Sequence, residues 1–325
     1  MPARRRWLVV AQGLVSVALM AMLMRRLDLA AFRAVFLRLP LWFYLLSLGV
    51  ILAGQVAYAW RWRVLLDAAG LRVPFGTVVR QYFIGICASN FFPSTVGGDL
   101  TRIYYLGRDH GYRQVTASVV VDRILGIGLL ALSASAAMWS ALPASPVLGT
   151  ARLAITVVAL ASLILLLLTA AGTGGLAERV AWLGPVAVRL AHRLQRLRFD
   201  MAAALRGPGV IVRAAAVVAG YFVALTAIYV LYISLVTGQS PSFWPTFAIV
   251  SATSVLSNIP VSMNGVGLRE QLHAALLTPL GVSPEVAVGI SLLLFGHVLI
   301  ASVIGLVYWL RAPSIPSDVA ERVVG

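Results

Sequence analysis

Arg102 and Arg269 each lie nine residues beyond a proline and four beyond a glycine, in P-S-T-V-G-G-D-L-T-R from Pro93 and P-V-S-M-N-G-V-G-L-R from Pro260. Proline lacks an amide donor and turns the preceding residue away from helix, while glycine lets the chain bend sharply. Each run therefore stops one helix and starts another. The first amides of the new helix have no partner within it, and its positive dipole end lies beside an arginine. That combination binds anions, phosphate above all. Asn90, Gly98 and Asp99 belong to the first break, and Asn264, Gly265 and Glu270 to the second. Glu270, beside Arg269, reads as a counter-charge or a proton-coupling group.

Asp122 and Arg123 fall about seven residues into an apolar run that begins near Val115. Neighbours in a helix point about 100° apart, so each needs a partner elsewhere. Asp122 is expected to balance Arg102 or Arg269, leaving Arg123 for a phosphate. If the membrane span starts only at Ile124, the pair is an ordinary interfacial one.

Composition says what must position these groups. Of 325 residues, 60% are hydrophobic and 11% charged, against about 25% charged in a soluble domain, which excludes a soluble globular protein. All 26 basic residues are arginine, which excludes lysine Schiff-base chemistry. The net charge of +15 fits cytoplasmic loops and anionic lipid headgroups rather than nucleic acid. His110, His192, His273 and His297 are scattered along the chain, so no metal or other cofactor is expected. Cys87 is the one cysteine and reads as a packed thiol.

Crossing about 30 Å of hydrocarbon takes about 20 helical residues. Apolar stretches at 7–24, 41–60, 115–142, 150–171, 210–236 and 284–310 make six crossings. The first follows Arg4-Arg5-Arg6 and lacks a small-residue cleavage site, so it reads as an uncleaved span rather than a signal peptide. Two less regular segments, 75–96 and 243–263, end in clusters of Asn, Pro, Ser and Gly. The loop 172–213 carries Arg179, Arg189, Arg193, Arg196, Arg198, Arg206 and Arg213, which places it in the cytoplasm, along with both termini. Within it, Val186, Leu190, Leu194, Leu197, Met201 and Leu205 recur at helical spacing after Pro185, an amphipathic helix expected on the bilayer surface. Trp60-Arg61-Trp62-Arg63 reads as an aromatic and basic interface belt.

Shifting the sequence by 167 positions superposes Pro74 on Pro241, Pro93 on Pro260, Gly98 on Gly265 and Arg102 on Arg269. The shift covers whole halves, 1–142 and 149–311, followed by a short polar tail at 312–325. If each irregular segment is re-entrant, a half holds three crossings and the halves are inverted; if it spans, they are parallel. Loop charges favour the former. The expected architecture is thus an all-α polytopic membrane protein of two inverted repeats, each with three transmembrane helices and one re-entrant broken helix. Irregular backbone at membrane depth is tolerated where it lines a watery cavity. Either Pro-Gly cluster alone could be an external turn with a snorkelling arginine; recurrence at one spacing favours a site.

N-F-F-P-S-T-V-G-G-D-L-T-R, V-D-R-I-L-G at 121–126 and N-I-P-V-S-M-N-G-V-G-L-R-E resemble the flippase-like membrane domain family, also called the lysylphosphatidylglycerol synthase transmembrane region. The resemblance covers about residues 5–311 and implies an inner-membrane protein. It also implies that Asn90, Pro93, Gly98, Asp99, Arg102, Asp122, Arg123, Asn264, Gly265, Arg269 and Glu270 bind an anionic or phosphate-containing lipid. In this family the domain, fused to an aminoacyl transferase, moves aminoacylated phosphatidylglycerol between leaflets; stand-alone members are associated with polyprenyl-phosphate glycolipids and hopanoids. Two departures stand out. No transferase follows Leu310, and Val266 occupies the place of Asp99 in the second motif. The expectation is a lipid translocase rather than an enzyme, with the headgroup between Arg102 and Arg269 and with a lipid-modifying enzyme or glycosyltransferase as a partner. An integral-membrane lipid-phosphate enzyme and an accessory subunit of a glycosyltransferase are the alternatives.

Overall fold

Long apolar runs with few breakers leave the chain one way to satisfy its amides in lipid, the α-helix. The computed structural model describes residues 14–22, 25, 28–91, 97–170, 185–207, 209–259 and 262–312, and their regular structure is entirely helical. After a helical stretch at 14–22 come α1 (Leu29–Leu37), α2 (Leu41–Ala68), α3 (Phe75–Phe91), α4 (Gly97–His110), α5 (Tyr112–Ala141) and α6 (Pro146–Ala170). Then follow α7 (Pro185–Ala204), α8 (Val210–Thr237), α9 (Phe243–Leu256), α10 (Leu268–Leu277) and α11 (Pro284–Leu310). Among the described residues five helices, α2, α5, α6, α8 and α11, are long and apolar enough to cross a membrane. Much of the expected first crossing, 7–24, lies outside the described residues.

The outer face of α6 explains why water is the wrong solvent. Leu153, Val157, Leu160, Ile164 and Leu168 are all exposed, at spacings of three and four, a continuous apolar stripe that hydrocarbon covers and water penalises.

α2 and α8, counterparts under the shift of 167, lie antiparallel. Phe43 near the start of α2 meets Tyr232 near the end of α8, with ring centroids 6.1 Å apart. Tyr58 meets Tyr221 at 5.0 Å, and Val64 and Leu65 share a cluster with Val210 and Ala214 at the start of α8. One further pair of contacts is reciprocal: α3 packs on α11, as its counterpart α9 packs on α5. At the first of these contacts only a hydrogen fits, because a side chain at Gly305 would strike the Phe83 carbonyl and come within 2.9 Å of Cys87. Cys87 is a buried thiol, as expected.

Each break folds its segment into a hairpin. Gly98 at the start of α4 abuts Gly85 and Ser89 of α3, so the two helices run antiparallel. The outer ends of the hairpin, marked by Val78 and Leu106, share a cluster with Trp62, Leu66, Val115 and Val119. The chain therefore enters and leaves at the end where α2 stops and α5 starts. The second hairpin, α9 and α10, joins the opposite end: α9 follows the end of α8, and Gly289 near the start of α11 packs against Val35 and Tyr232. At 17 and 14 residues, α3 and α4 are about 25 and 21 Å long, each short of a full hydrocarbon crossing.

One expectation needs correction. The belt at 60–63 is not interfacial throughout: α2 continues through it, and Arg61 and Trp62 are buried. α5 begins at Tyr112, so Asp122 and Arg123 lie well inside a helix, in line with the apolar run read from Val115. The amphipathic helix forms from Pro185 as anticipated, but it is tied to the bundle as well, with Met201 and Ala204 buried against Leu65, Val121 and Ala214.

Candidate functional site

Five charged side chains from three helices form an alternating chain. Arg61 on α2 donates from Nε to Asp122 Oδ1 at 2.8 Å and from Nη2 to the Asp122 carbonyl at 3.3 Å. The other carboxylate oxygen of Asp122 accepts from Arg102 Nη1 at 3.4 Å. Arg102 also donates through Nη2 to Asp99 Oδ1, and Arg123 Nε lies 3.0 Å from Asp99 Oδ2. The order is Arg61, Asp122, Arg102, Asp99, Arg123.

Burying these groups is costly unless each charge is paired, and breaking one pair leaves its partner stranded. Asp122 and Arg61 have side chains only 3% and 7% exposed, and Arg123, at the end of the chain, is 37% exposed. Within this chain of described residues, three cations stand against two anions. Aromatic faces assist: the Arg102 guanidinium lies 5.0 Å from the ring centres of both Trp62 and Tyr82, and Arg61 lies 4.8 Å from that of Tyr58. Such contacts favour a cation most where water is excluded.

The two breaks meet at their tips. Asn264 donates to the side-chain oxygen of Asn90, and Asn90 donates to Ser302 Oγ at 2.7 Å. Asn264 adopts φ +48° and Gly265 φ +75°, left-handed geometry that asparagine and glycine tolerate best. Pro93 and Pro260 lie outside the described residues.

Arg269 and Glu270 form a separate cluster. Arg269 donates to Glu270 Oε1 at 2.7 Å and to Ser291 Oγ at 3.1 Å, and stacks 4.7 Å from the Phe295 ring centre. Glu270, fully buried, accepts from the Gly267 amide at 2.7 Å. The helix N-terminus expected to receive an anion is thus already occupied by the protein's own carboxylate. Asp122 is balanced by Arg102, one of the two partners expected, and also by Arg61; Arg269 takes no part, and Arg123, expected to be left for a phosphate, is engaged by Asp99.

Two adjoining cavities, each about 220 Å³, flank the ion chain. One is lined by Ser89, Asn90, Gly98, Asp99 and, from the second half, Asn264 and Val298. The other is lined by Tyr58, Arg61, Asp122 and, from the second half, Phe222, Ser254 and Asn258. Tyr82, Arg102 and Arg123 face both; Arg269 lines neither. The structure thus gathers Asn90, Gly98, Asp99, Arg102, Asp122, Arg123 and Asn264 around one space.

Residues 9–305 match the family model described as Lysylphosphatidylglycerol synthase TM region. The chain belongs to this family. Membership makes it a membrane protein of lipid metabolism or transport. It is also similar to a UPF0104 membrane protein of Pyrococcus horikoshii, 30% identical over 95 residues, a stretch covering 28% of each protein.

Arg61, Trp62 and Tyr82 escaped the sequence reading. Arg61 lies 61 positions from Asp122, with no local spacing to link them and no charged counterpart under the shift of 167, where Ile228 stands. The available signal was Asp122 itself, a carboxylate inside an apolar run that required a distant cation.

Proposed function

We propose that this protein moves an anionic, phosphate-bearing lipid between leaflets, seating the headgroup in the paired cavities while the acyl chains remain in the bilayer. The ion chain carries this reading: three guanidinium groups and two carboxylates line space shared by both halves. Phosphate in bare hydrocarbon is prohibitively costly, and guanidinium groups supply the charge-assisted bonds that water otherwise provides. Asp99 holds both Arg102 and Arg123, so an entering phosphate competes with a resident carboxylate for donors already in place. The reading contains no bond-breaking step. Aminoacyl phospholipids, polyprenyl-phosphate glycolipids and hopanoid-related lipids that carry phosphate all meet its chemical requirement, and a lipid-modifying enzyme or glycosyltransferase is the matching partner.

Exchange of access follows from rocking of two inverted halves. The antiparallel α2 and α8, and hairpins opening at opposite ends, support this arrangement with each hairpin re-entrant. The proposed location is a bacterial inner membrane with the arginine-rich 189–213 segment in the cytoplasm. Cysteines placed at the exposed Arg72 and Arg108, flanking the first hairpin, should react with an impermeant thiol reagent from the cytoplasmic side. Those at Gln239 and Thr278, flanking the second, should react only from the opposite side. Labelling of all four from one side would contradict inversion.

The transport reading is tested in phosphatidylcholine vesicles containing fluorescent-headgroup phosphatidylglycerol and an impermeant quencher. Vesicles bearing the protein should lose their protected inner-leaflet fraction. Protection equal to that of protein-free vesicles would overturn the assignment.

A further inference from the structure

A second basic cavity lies away from the ion chain. It measures about 600 Å³ and is lined by Arg113 at the start of α5 and by His192, Arg193, Gln195, Arg196 and Phe199 of α7. The apparent purpose of α7 is anchorage, since Met201 and Ala204 pack on the bundle. Anchorage does not account for its other face. Arg193 and Arg196 stand three residues apart on this face, with His192 and Phe199 beside them. A like-charge pair at that spacing disfavours the helix slightly, and a bound anion relieves it.

Among the described residues the groove holds too little negative charge. Asp200 is the acidic residue at this groove, and Arg113 already engages it, Nε to Oδ2 at 2.6 Å. With Arg113, Arg193 and Arg196 against Asp200, the groove carries an excess of two positive charges. Apolar surface sits directly beside that charge: Phe199, which lines the groove, is 59% exposed, and Arg206 stacks 5.1 Å from its ring centre. A soluble anion has no use for the exposed ring of Phe199. A lipid does, because its phosphate meets the guanidinium groups while its first methylenes cover that ring.

We propose that this groove is a peripheral binding site for the phosphate headgroup of an anionic phospholipid, distinct from the central cavities and independent of transport through them. Occupancy would fix α7 against α5 through a headgroup shared between Arg113 and the α7 arginines.

Native mass spectrometry of the detergent-purified full chain, titrated with phosphatidylglycerol or phosphatidylcholine, tests the assignment. The wild type should retain one more phosphatidylglycerol than the R193A/R196A variant, and no extra phosphatidylcholine. R193K/R196K, which keeps the charge, should restore at least part of the binding, separating loss of the site from loss of the fold. R102A should retain this peripheral lipid, which distinguishes failure here from failure of the central reading. Equal phosphatidylglycerol retention by wild type and R193A/R196A, equal retention of phosphatidylcholine, or displacement by inorganic phosphate would overturn the lipid assignment.

Discussion

Asp122→Ala is expected to destabilise the protein by about 3–5 kcal/mol, the cost of stranding a buried charge. Asp122 accepts from Arg61 and Arg102 at once and is 2% exposed. Arg102 retains Asp99 after the substitution, whereas Arg61 has no other carboxylate within salt-bridge distance among the described residues. Thermal unfolding in detergent, followed by helical circular dichroism, measures the loss. The double variant Arg61→Met with Asp122→Leu should recover much of it, because apolar side chains of similar volume replace a buried pair at little cost. A double variant no more stable than Asp122→Ala would mean that the pair is not the source of the effect.

Arg102→Ala should slow headgroup exposure in the vesicle assay by about ten- to a hundredfold, the range expected when a charge-assisted hydrogen bond to a phosphate is lost. Arg102 faces both cavities, lies 5.0 Å from the ring centres of Trp62 and Tyr82, and is the link between Asp99 and Asp122, so its loss breaks the middle of the ion chain. Arg102→Lys should fall in between, since an ammonium keeps the charge but loses the planar fork. Arg269→Ala provides the contrast. Arg269 is bound to Glu270 and Ser291 and lines neither cavity, so its loss should affect transport far less than that of Arg102. Equal losses would return the two arginines to equivalent roles.

The difference between these arginines bears on what a sequence can reveal. Local features were readable: long apolar runs, Pro-Gly breaks, the helix starting at Pro185 and the recurrence at 167 positions all depend on neighbours in the chain. The breaks correctly marked Asn90, Asp99, Arg102 and Asn264 as residues around one space. Val266 in place of Asp99 already marked the half-sites as chemically unequal, but equal spacing suggested that Arg269 would face the same space as Arg102, and it lines neither cavity. Whether a helix start is open to an anion depends on the side chain that fills it, and Glu270 fills the second. Pairing was the least legible property. Arg61 meets Asp122 because α2 continues past the point where hydrophobicity falls, and the fall itself gave no sign of that continuation. Burial by tertiary contact, here against α4 and α5, overrides the ordinary reading of Trp60-Arg61-Trp62-Arg63 as a surface belt.

Thiol chemistry inside the cavity tests the central claim most directly. Cys87→Ser removes the one cysteine, and Ser254→Cys then places a single thiol on the wall shared by the two halves. In reconstituted vesicles a charged, water-soluble thiol reagent should modify this cysteine, and phosphatidylglycerol should slow the reaction where phosphatidylcholine does not. A thiol as unreactive as one placed at lipid-facing Leu160, or one indifferent to phosphatidylglycerol, would contradict a wet cavity that receives an anionic headgroup.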